Sequence, residues 1–423
     1  MQPFKLSRDL SRILTRQAQA NTAVIETVRE ILNDIKESGD TALRKYIERF
    51  DGYSGTDMLV SKAEIETGIQ NVGENFIRIL ERTKAQLTEF HKNQVEKTWG
   101  IYKDNGVIMG QIVRPIARVA LYVPGGTAAL PSSLLMSAIP AKLAGVEDLA
   151  IFTPVKADGK VPDVILAAAA CCGIDKIYKI GGAQAIAAAA YGTETIKKFD
   201  KIVGPGNIYV ATAKQLVYGI VDIEMIAGPS EILIIADETA NPKYIAADML
   251  SQAEHDELAS AILVTTSEKI IKETEAELAK QLATLSRKDT GMISLKNYGA
   301  AILVDNLDKA FEISNDIAPE HLEILTLNPL EKLPKVKNAG SIFLGENTPE
   351  PLGDYMSGTN HILPTSGTAK FSSPLGVYDF VKYSAYSYYP KEVLTAFKDD
   401  VIQFAELEGL DAHANSVRVR FDS

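Results

Sequence analysis

The sequence predicts an α/β protein with two incomplete Rossmann-like βαβ regions and mostly parallel sheets. Two observations lead there. From Val107 onward, short apolar runs rich in β-branched residues alternate with longer segments of helical periodicity, the pattern of parallel strands joined by crossover helices. The chain is also long enough, at 423 residues with 46% hydrophobic content, to bury more than one core. Two sheets fit that length better than one.

Taken in order, residues 1–24 read as a short N-terminal arm. Val24, Ile25, Val28, Ile31, Leu32 and Ile35 recur at helical spacing, and Gly39 stops the pattern. A second long helix opens at Ser61, where Ser61 and Glu64 form a capping box, and runs to about His91. His91 reads as a solvated position on it. Strands follow at 107–113 and 116–123. The alternation then continues: strand 149–153, helix 161–172, strand 176–180, a helix from Ala183, strand 202–203, helix 208–217 and strand 232–236. Helix 242–254, strand 262–265, helix 268–285, strand 301–304, helix 308–316 and strand 322–325 complete it. Residues 345–375 are a long loop rich in Gly, Pro, Ser, Thr and Asn, and loops of that length are often functional. The remainder is aromatic-rich, then helical near 393–410, and ends in an alternating strand at 416–421. A unit of that size is too small to stand alone, so it must pack on the rest of the chain or on another subunit. The expected division is 25–113 with 232–374 as the first Rossmann-like domain, 114–231 as the second, and 375–423 as a tail domain.

Composition excludes several classes of function. A formal charge of −11 argues against nucleic acid or an anionic membrane as partner. No apolar run approaches a membrane span. The only two cysteines, Cys171 and Cys172, are adjacent in an alanine-rich helix and read as core residues. With no disulfide framework and no apolar leader at the N-terminus, a cytoplasmic location is expected.

Chemistry concentrates in a few polar stretches. Leu121-Tyr122-Val123-Pro124-Gly125-Gly126-Thr127, Gly181-Gly182-Ala183-Gln184 and Gly204-Pro205-Gly206-Asn207 each follow a strand and precede a helix. None is the Gly-x-Gly-x-x-Gly fingerprint. All three fall at strand C-terminal ends, where such sheets bind anionic ligands against helix N-termini. Gly228-Pro229-Ser230-Glu231 is a turn whose Ser230 is either a cap or a substrate contact, and it lacks a nucleophile elbow. Gln252 and His255 lie three apart on one helical face, an arrangement suited to half a metal site; the sequence is not His-Glu-x-x-His, which disfavours a zincin protease. Glu320-His321 pairs a carboxylate with an imidazole, able to remove a proton or activate water. Asp354 is either a loop carboxylate or an oxygen ligand, and His361 stands in the same loop. Glu408 and His413 flank the end of the last helix, and His413 can serve as a ligand only if the tail docks at the site. These residues alone leave open a zinc hydrolase with Glu320 as base, and a non-catalytic metal- or nucleotide-binding protein.

In this order along the chain, the stretches 121–127, 181–186, 204–207, 228–231, 251–255, 318–322, 353–364 and Glu408…His413 resemble histidinol dehydrogenase. The resemblance implies a zinc- and NAD-dependent oxidation of L-histidinol to L-histidine through L-histidinaldehyde, the end of histidine biosynthesis. It implies one zinc per subunit, held by Gln252, His255, Asp354 and His413, with Glu320 and His321 as the acid/base pair. NAD contacts are implied at Tyr122, Gln184 and Asn207. Substrate contacts are implied at Ser230, Glu408, His321 and the zinc ligands. It further implies a homodimer in which the 375–423 tail is exchanged between subunits. His361 matches the family's pattern but is assigned no catalytic part.

Overall fold

The structure, a computed structural model, describes residues 5–14, 22–125 and 129–422. It divides into two units: 1–94 with 116–380, and 95–115 with 381–423.

In chain order the helices and strands begin with α1 (Ser11–Leu14), α2 (Thr22–Asp51), α3 (Lys62–His91), β1 (Trp99–Tyr102), β2 (Ile108–Pro115) and β3 (Arg118–Tyr122). Next come α4 (Pro131–Ala144), β4 (Asp148–Phe152), α5 (Asp163–Cys171), β5 (Ile177–Tyr178), α6 (Gly182–Tyr191), β6 (Lys201–Val203), α7 (Ile208–Val217) and β7 (Asp222–Ile223). Then follow β8 (Glu231–Ala236), α8 (Pro242–Ala253), β9 (Ser260–Thr265), α9 (Glu268–Leu282), α10 (Lys288–Tyr298), β10 (Gly299–Leu303), α11 (Leu307–Ile317) and β11 (His321–Leu325). The last are α12 (Pro329–Lys332), β12 (Ser341–Leu344), α13 (Glu350–Tyr355), β13 (Val381–Tyr388), α14 (Lys391–Leu407) and α15 (Asp411–Arg418).

The larger unit holds two five-stranded parallel sheets, ordered β5-β4-β3-β6-β7 and β10-β9-β8-β11-β12. The expected α/β class with two mostly parallel sheets is what the chain adopts. Both faces of each sheet are covered, which is why the strands read as continuous apolar runs. On β8, Ile232, Ile234 and Ala236 pack toward α8 and α9, while Leu233 and Ile235 pack toward α11, the period-two alternation of a strand. In each sheet the chain steps one way for three strands and then reverses. The switch points fall between β3 and β6 and between β8 and β11, the places where such sheets open a crevice.

Several expectations need correction. Helix α2 does not stop at Gly39. It kinks there, at φ 49° and ψ −129°, and continues to Asp51. A glycine tolerates that conformation, so the periodicity breaks without ending the helix. Helices α2 and α3 pack on opposite faces of the β3–β7 sheet, with Val28, Ile31 and Leu43 on one side and Ile65, Leu80 and Leu87 on the other. Residues 25–94 therefore belong with 116–223, not with the sheet of 231–344. The 107–113 strand is part of β2, in the smaller unit, whose three-stranded antiparallel sheet runs β1-β2-β13. The tail thus shares its sheet with residues 99–115 rather than forming a domain from 375 alone. The alternating strand expected at 416–421 is instead largely α15, followed by a turn. His91 is fully buried rather than solvated, its Nδ1 2.7 Å from Gln94 Oε1.

Candidate active site

Glu320 and His321 are set by the edge of the second sheet. Strand β11 pairs in parallel with β8, His321 opposite Ile232. That register brings both side chains onto the peptide groups of Glu231. The Glu231 N–H donates to Glu320 Oε2 at 2.8 Å. His321 Nδ1 donates to the Glu231 carbonyl at 2.9 Å. A carbonyl only accepts, so Nδ1 carries the proton and Nε2 keeps its lone pair. Burial pushes the His321 pKa down to about 4, against the opposing pull of the Asp354 carboxylate, so the ring is neutral at pH 7. Burial also pushes Glu320 well above the usual carboxylate range, helped by the nearby charges of Glu231, Asp354 and Glu350. The pair lies at the N-terminal ends of β8 and β11, opposite to the edge at which a parallel sheet ordinarily binds ligand.

Facing this pair is a cavity of about 210 Å³ whose walls include Ser230, Gln252, His255, Glu350, Asp354 and His361. Gln252, on the last turn of α8, is 1% exposed, and its Oε1 has no hydrogen-bond partner. The helix ends at Ala253, so His255 stands just past it, held by its backbone N–H donating to the Gln252 carbonyl at 3.1 Å. Asp354, in the last turn of α13, lies beside His361, with Oδ1 3.3 Å from His361 Nδ1. Burial alone would raise the Asp354 pKa. The His361 contact and the surrounding imidazoles outweigh it, and the group is held below the usual range. His361 Nε2 lies 3.1 Å from the Ser133 hydroxyl, so this loop histidine bridges Asp354 to α4.

Sequence reasoning missed Glu350. It is 1% exposed, its Oε2 accepts from the Ser251 hydroxyl at 3.1 Å, and its Oε1 lies 3.5 Å from His321 Nε2. Burial first, and the Asp354 charge second, push its pKa up to about 8. Behind it the Glu350 N–H donates to Glu323 at 2.9 Å, and burial raises Glu323 and Asp248 as well. Metal-ligating atoms of His321, Glu350 and Asp354 lie within 4.8 Å of one another. The donors expected for a metal and this tighter group share Asp354 and one cavity. An acid followed by proline, in a stretch whose composition reads as loop but which forms α13, carries no local pattern that would have singled out Glu350.

The dinucleotide residues expected from sequence line one cleft of about 510 Å³ at the C-terminal ends of the first sheet. Tyr122 ends β3, and its hydroxyl accepts from the Gly182 N–H at 3.0 Å. Burial pushes its pKa up to about 12. Gln184 sits in the first turn of α6, 1% exposed. Asn207 caps α7, its side-chain oxygen accepting from the N–H groups of Tyr209 and Val210 at 3.1 and 3.2 Å. The turn carrying Asn207 is pinned by a buried ion pair. Glu224 Oε1 accepts from Lys214 Nζ at 2.6 Å and from the Gly204 N–H at 2.8 Å, and Lys214 also donates to the Gly204 carbonyl at 3.0 Å. Gly204 has φ +129°, and a Cβ there would land 2.0 Å from the Tyr122 carbonyl oxygen. Only glycine fits. Gly126 and Thr127 of the first glycine turn lie outside the described residues.

Glu408 and His413 belong to the smaller unit, where both are exposed and line a groove between α14 and α15. Cys172 is buried and Cys171 half-buried. Burial pushes their pKa values to about 12 and about 11, so both thiols stay protonated.

A neutral buried base beside a donor-rich cavity, with a second cleft at the switch point of a doubly wound sheet, fits an α/β oxidoreductase. A sequence model of the family described as histidinol dehydrogenase matches residues 14–421. A histidinol dehydrogenase of Lactococcus lactis is 61% identical over 420 residues, covering 99% of this chain and 97% of that one. One from Clostridium acetobutylicum is 56% identical, covering 96% and 94%. The crystal structure of histidinol dehydrogenase from Elizabethkingia anophelis superposes with a TM-score of 0.92 at 40% identity, covering 97% of this chain and 95% of that one. The chain belongs to the histidinol dehydrogenase family.

Proposed function

We propose that this enzyme carries out the zinc-dependent, NAD-linked, four-electron oxidation of L-histidinol to L-histidine through L-histidinaldehyde, the last step of histidine biosynthesis, in the cytoplasm. The observation that carries the reading is His321, a neutral imidazole whose free Nε2 faces the cavity shared with Gln252, His255 and Asp354.

The donor set fits a zinc ion. It offers imidazole, carboxylate and amide donors, an ionised Asp354 and an orphaned, buried Gln252 Oε1. Gln252, His255 and Asp354, with His413 from a tail, would hold the ion. When bound, zinc supplies a Lewis-acid grip on the amino and imidazole nitrogens of histidinol, positioning the substrate rather than making hydroxide. NAD, against Tyr122, Gln184 and Asn207, supplies the hydride acceptor. Ser230 and Glu408 are further substrate contacts on this reading.

His321 Nε2 takes the alcohol proton as the carbinol carbon gives up its hydride. The proton leaves a cation whose Nδ1 is 3.6 Å from Glu320 Oε2. That charge lowers the Glu320 pKa at the stage when a base is wanted. Glu320, its pKa raised by burial and now pulled down by that charge, draws a proton from the water that hydrates the aldehyde and passes it on to solvent. Once His321 has passed its first proton to solvent it can take the hydroxyl proton of the hydrate, whose second hydride would go to NAD, leaving the carboxylate. The direct test is NADH absorbance on mixing protein, zinc, NAD and histidinol. A zinc-loaded protein giving no histidinol-dependent signal would overturn the reading.

The same proposal includes a homodimer with exchanged tails, each supplying Glu408 and His413 to its neighbour's cavity. The tail supports this by its own surface. Phe397, Val401, Phe404 and Leu407 are exposed along α14, an apolar stripe. Reassociating a Glu320→Gln protein with a His413→Ala protein tests it. With exchange, mixed dimers recover one intact site, roughly a quarter of all sites in an equal mixture. Without exchange no site regains the full oxidation to histidine, which is the readout.

A further inference from the structure

We propose that Asp51 selects NAD over NADP: its carboxylate accepts a hydroxyl of the adenosine ribose and repels a phosphate ester at that position. This rests on the reading of the first-sheet cleft as a dinucleotide site.

Asp51 is the last residue of α2, reached only because the helix continues past its kink at Gly39. It stands on the wall shared by two adjoining clefts. One contains Tyr122, Gln184 and Asn207; the other, of about 600 Å³, runs over the end of β4 from Thr153 to Ile165. Its Oδ2 is buried and has no hydrogen-bond partner. A buried carboxylate oxygen left unpaired is costly, and a hydroxyl donor is the group that relieves it. The Gly181 N–H and the Gln184 side chain face the same carboxylate, so Asp51 already occupies the N-terminus of α6. In a doubly wound sheet that position commonly takes a phosphate. Here an anionic ligand group would meet an acid instead, while a hydroxyl would not.

The sheet order says which end of the dinucleotide reaches Asp51. The substrate cavity touches the first sheet at Pro205, Glu224 and Met225, after β6 and β7. Asp51 faces Gly181 and Pro154, after β5 and β4. With the order β5-β4-β3-β6-β7, β6 and β5 are three strand spacings apart, about 14 Å. A dinucleotide with its nicotinamide at the cavity extends across β3, which puts its adenosine half at Asp51. Arg49, Lys156 and Lys160 line the two clefts and are exposed, cations suited to the phosphate charge of a dinucleotide.

Calorimetric titration of NAD and of NADP into the wild type, Asp51→Asn and Asp51→Ser tests this without turnover. The wild type should bind NAD at least tenfold tighter than NADP. Each variant should lose that preference by roughly tenfold or more, since a hydrogen bond to a charged group corresponds to at least that factor. Circular dichroism checks folding, and if the asparagine variant fails to fold the serine variant decides. A wild type without preference, or folded variants that keep it, overturns the assignment of Asp51. A wild type that binds neither dinucleotide overturns the dinucleotide reading, and this inference with it.

Discussion

On the proposed mechanism, replacing Glu320 by glutamine should separate the two oxidations. Gln Oε1 can accept the Glu231 N–H bond that Glu320 Oε2 accepts at 2.8 Å, so the loop and the His321 tautomer are kept. The change puts a neutral isostere where burial already disfavours the ionised carboxyl, so folding should be unharmed. What is lost is the ability to take a proton from water. A positioned general base contributes about 10²–10⁴ in rate, or about 3–5 kcal/mol of barrier. That loss should fall on aldehyde oxidation. Alcohol oxidation, served by His321 Nε2, should drop by less than about tenfold. The assay is stopped-flow NADH formation, starting in separate runs from histidinol and from histidinaldehyde. The expected result is one NADH formed promptly from histidinol, with the second delayed. His321→Asn should instead slow the alcohol step. Equal losses in both half-reactions for Glu320→Gln would refute the division of labour.

Three other outcomes follow from the geometry. Glu350 keeps a proton in the folded protein up to about pH 8, whereas an unfolded glutamate releases it near the usual 4.5. Its stabilising contribution is therefore complete below pH 4.5 and is lost as pH rises toward 8, at up to about 1.4 kcal/mol per pH unit. Thermal melts of metal-free protein should show that slope, and Glu350→Gln should flatten it. Lys214→Met should leave Glu224 buried without its partner and cost about 3–5 kcal/mol, measured by urea unfolding, while Lys214→Met with Glu224→Leu should recover much of it. Because Gln252 offers a neutral amide oxygen, a weak donor, chelator treatment should remove activity readily and added zinc should restore it; full activity in a metal-free protein would refute a role for the ion.

Much of the fold was legible because βαβ alternation is local. Apolar runs such as Ile232–Ala236 and helices such as Pro242–Ala253 announce themselves within a dozen residues. The misreadings arose where local pattern and tertiary packing part. The break at Gly39 was a kink, because glycine adopts φ 49° without strain. The alternation at 416–421 described a helix end and a turn. The packing of α2 and α3 on the first sheet depends on contacts across many residues, to which periodicity is blind.

For the candidate site, the sequence by itself supplied candidates: Gln252, His255, Glu320, His321 and the three glycine turns stand in short polar stretches, and the family resemblance singled out Asp354. Only the tertiary structure decided their states. The His321 tautomer depends on a carbonyl 90 residues away, at Glu231. The neutral ring and the raised pKa of Glu320 depend on burial, which is a property of the whole fold. Glu350, Glu224 and Asp51 became visible only as acids with a buried carboxylate oxygen beside a cavity. A carboxylate in a sequence is a charge by default, and its surroundings, gathered from distant segments, set what it holds and what it can take.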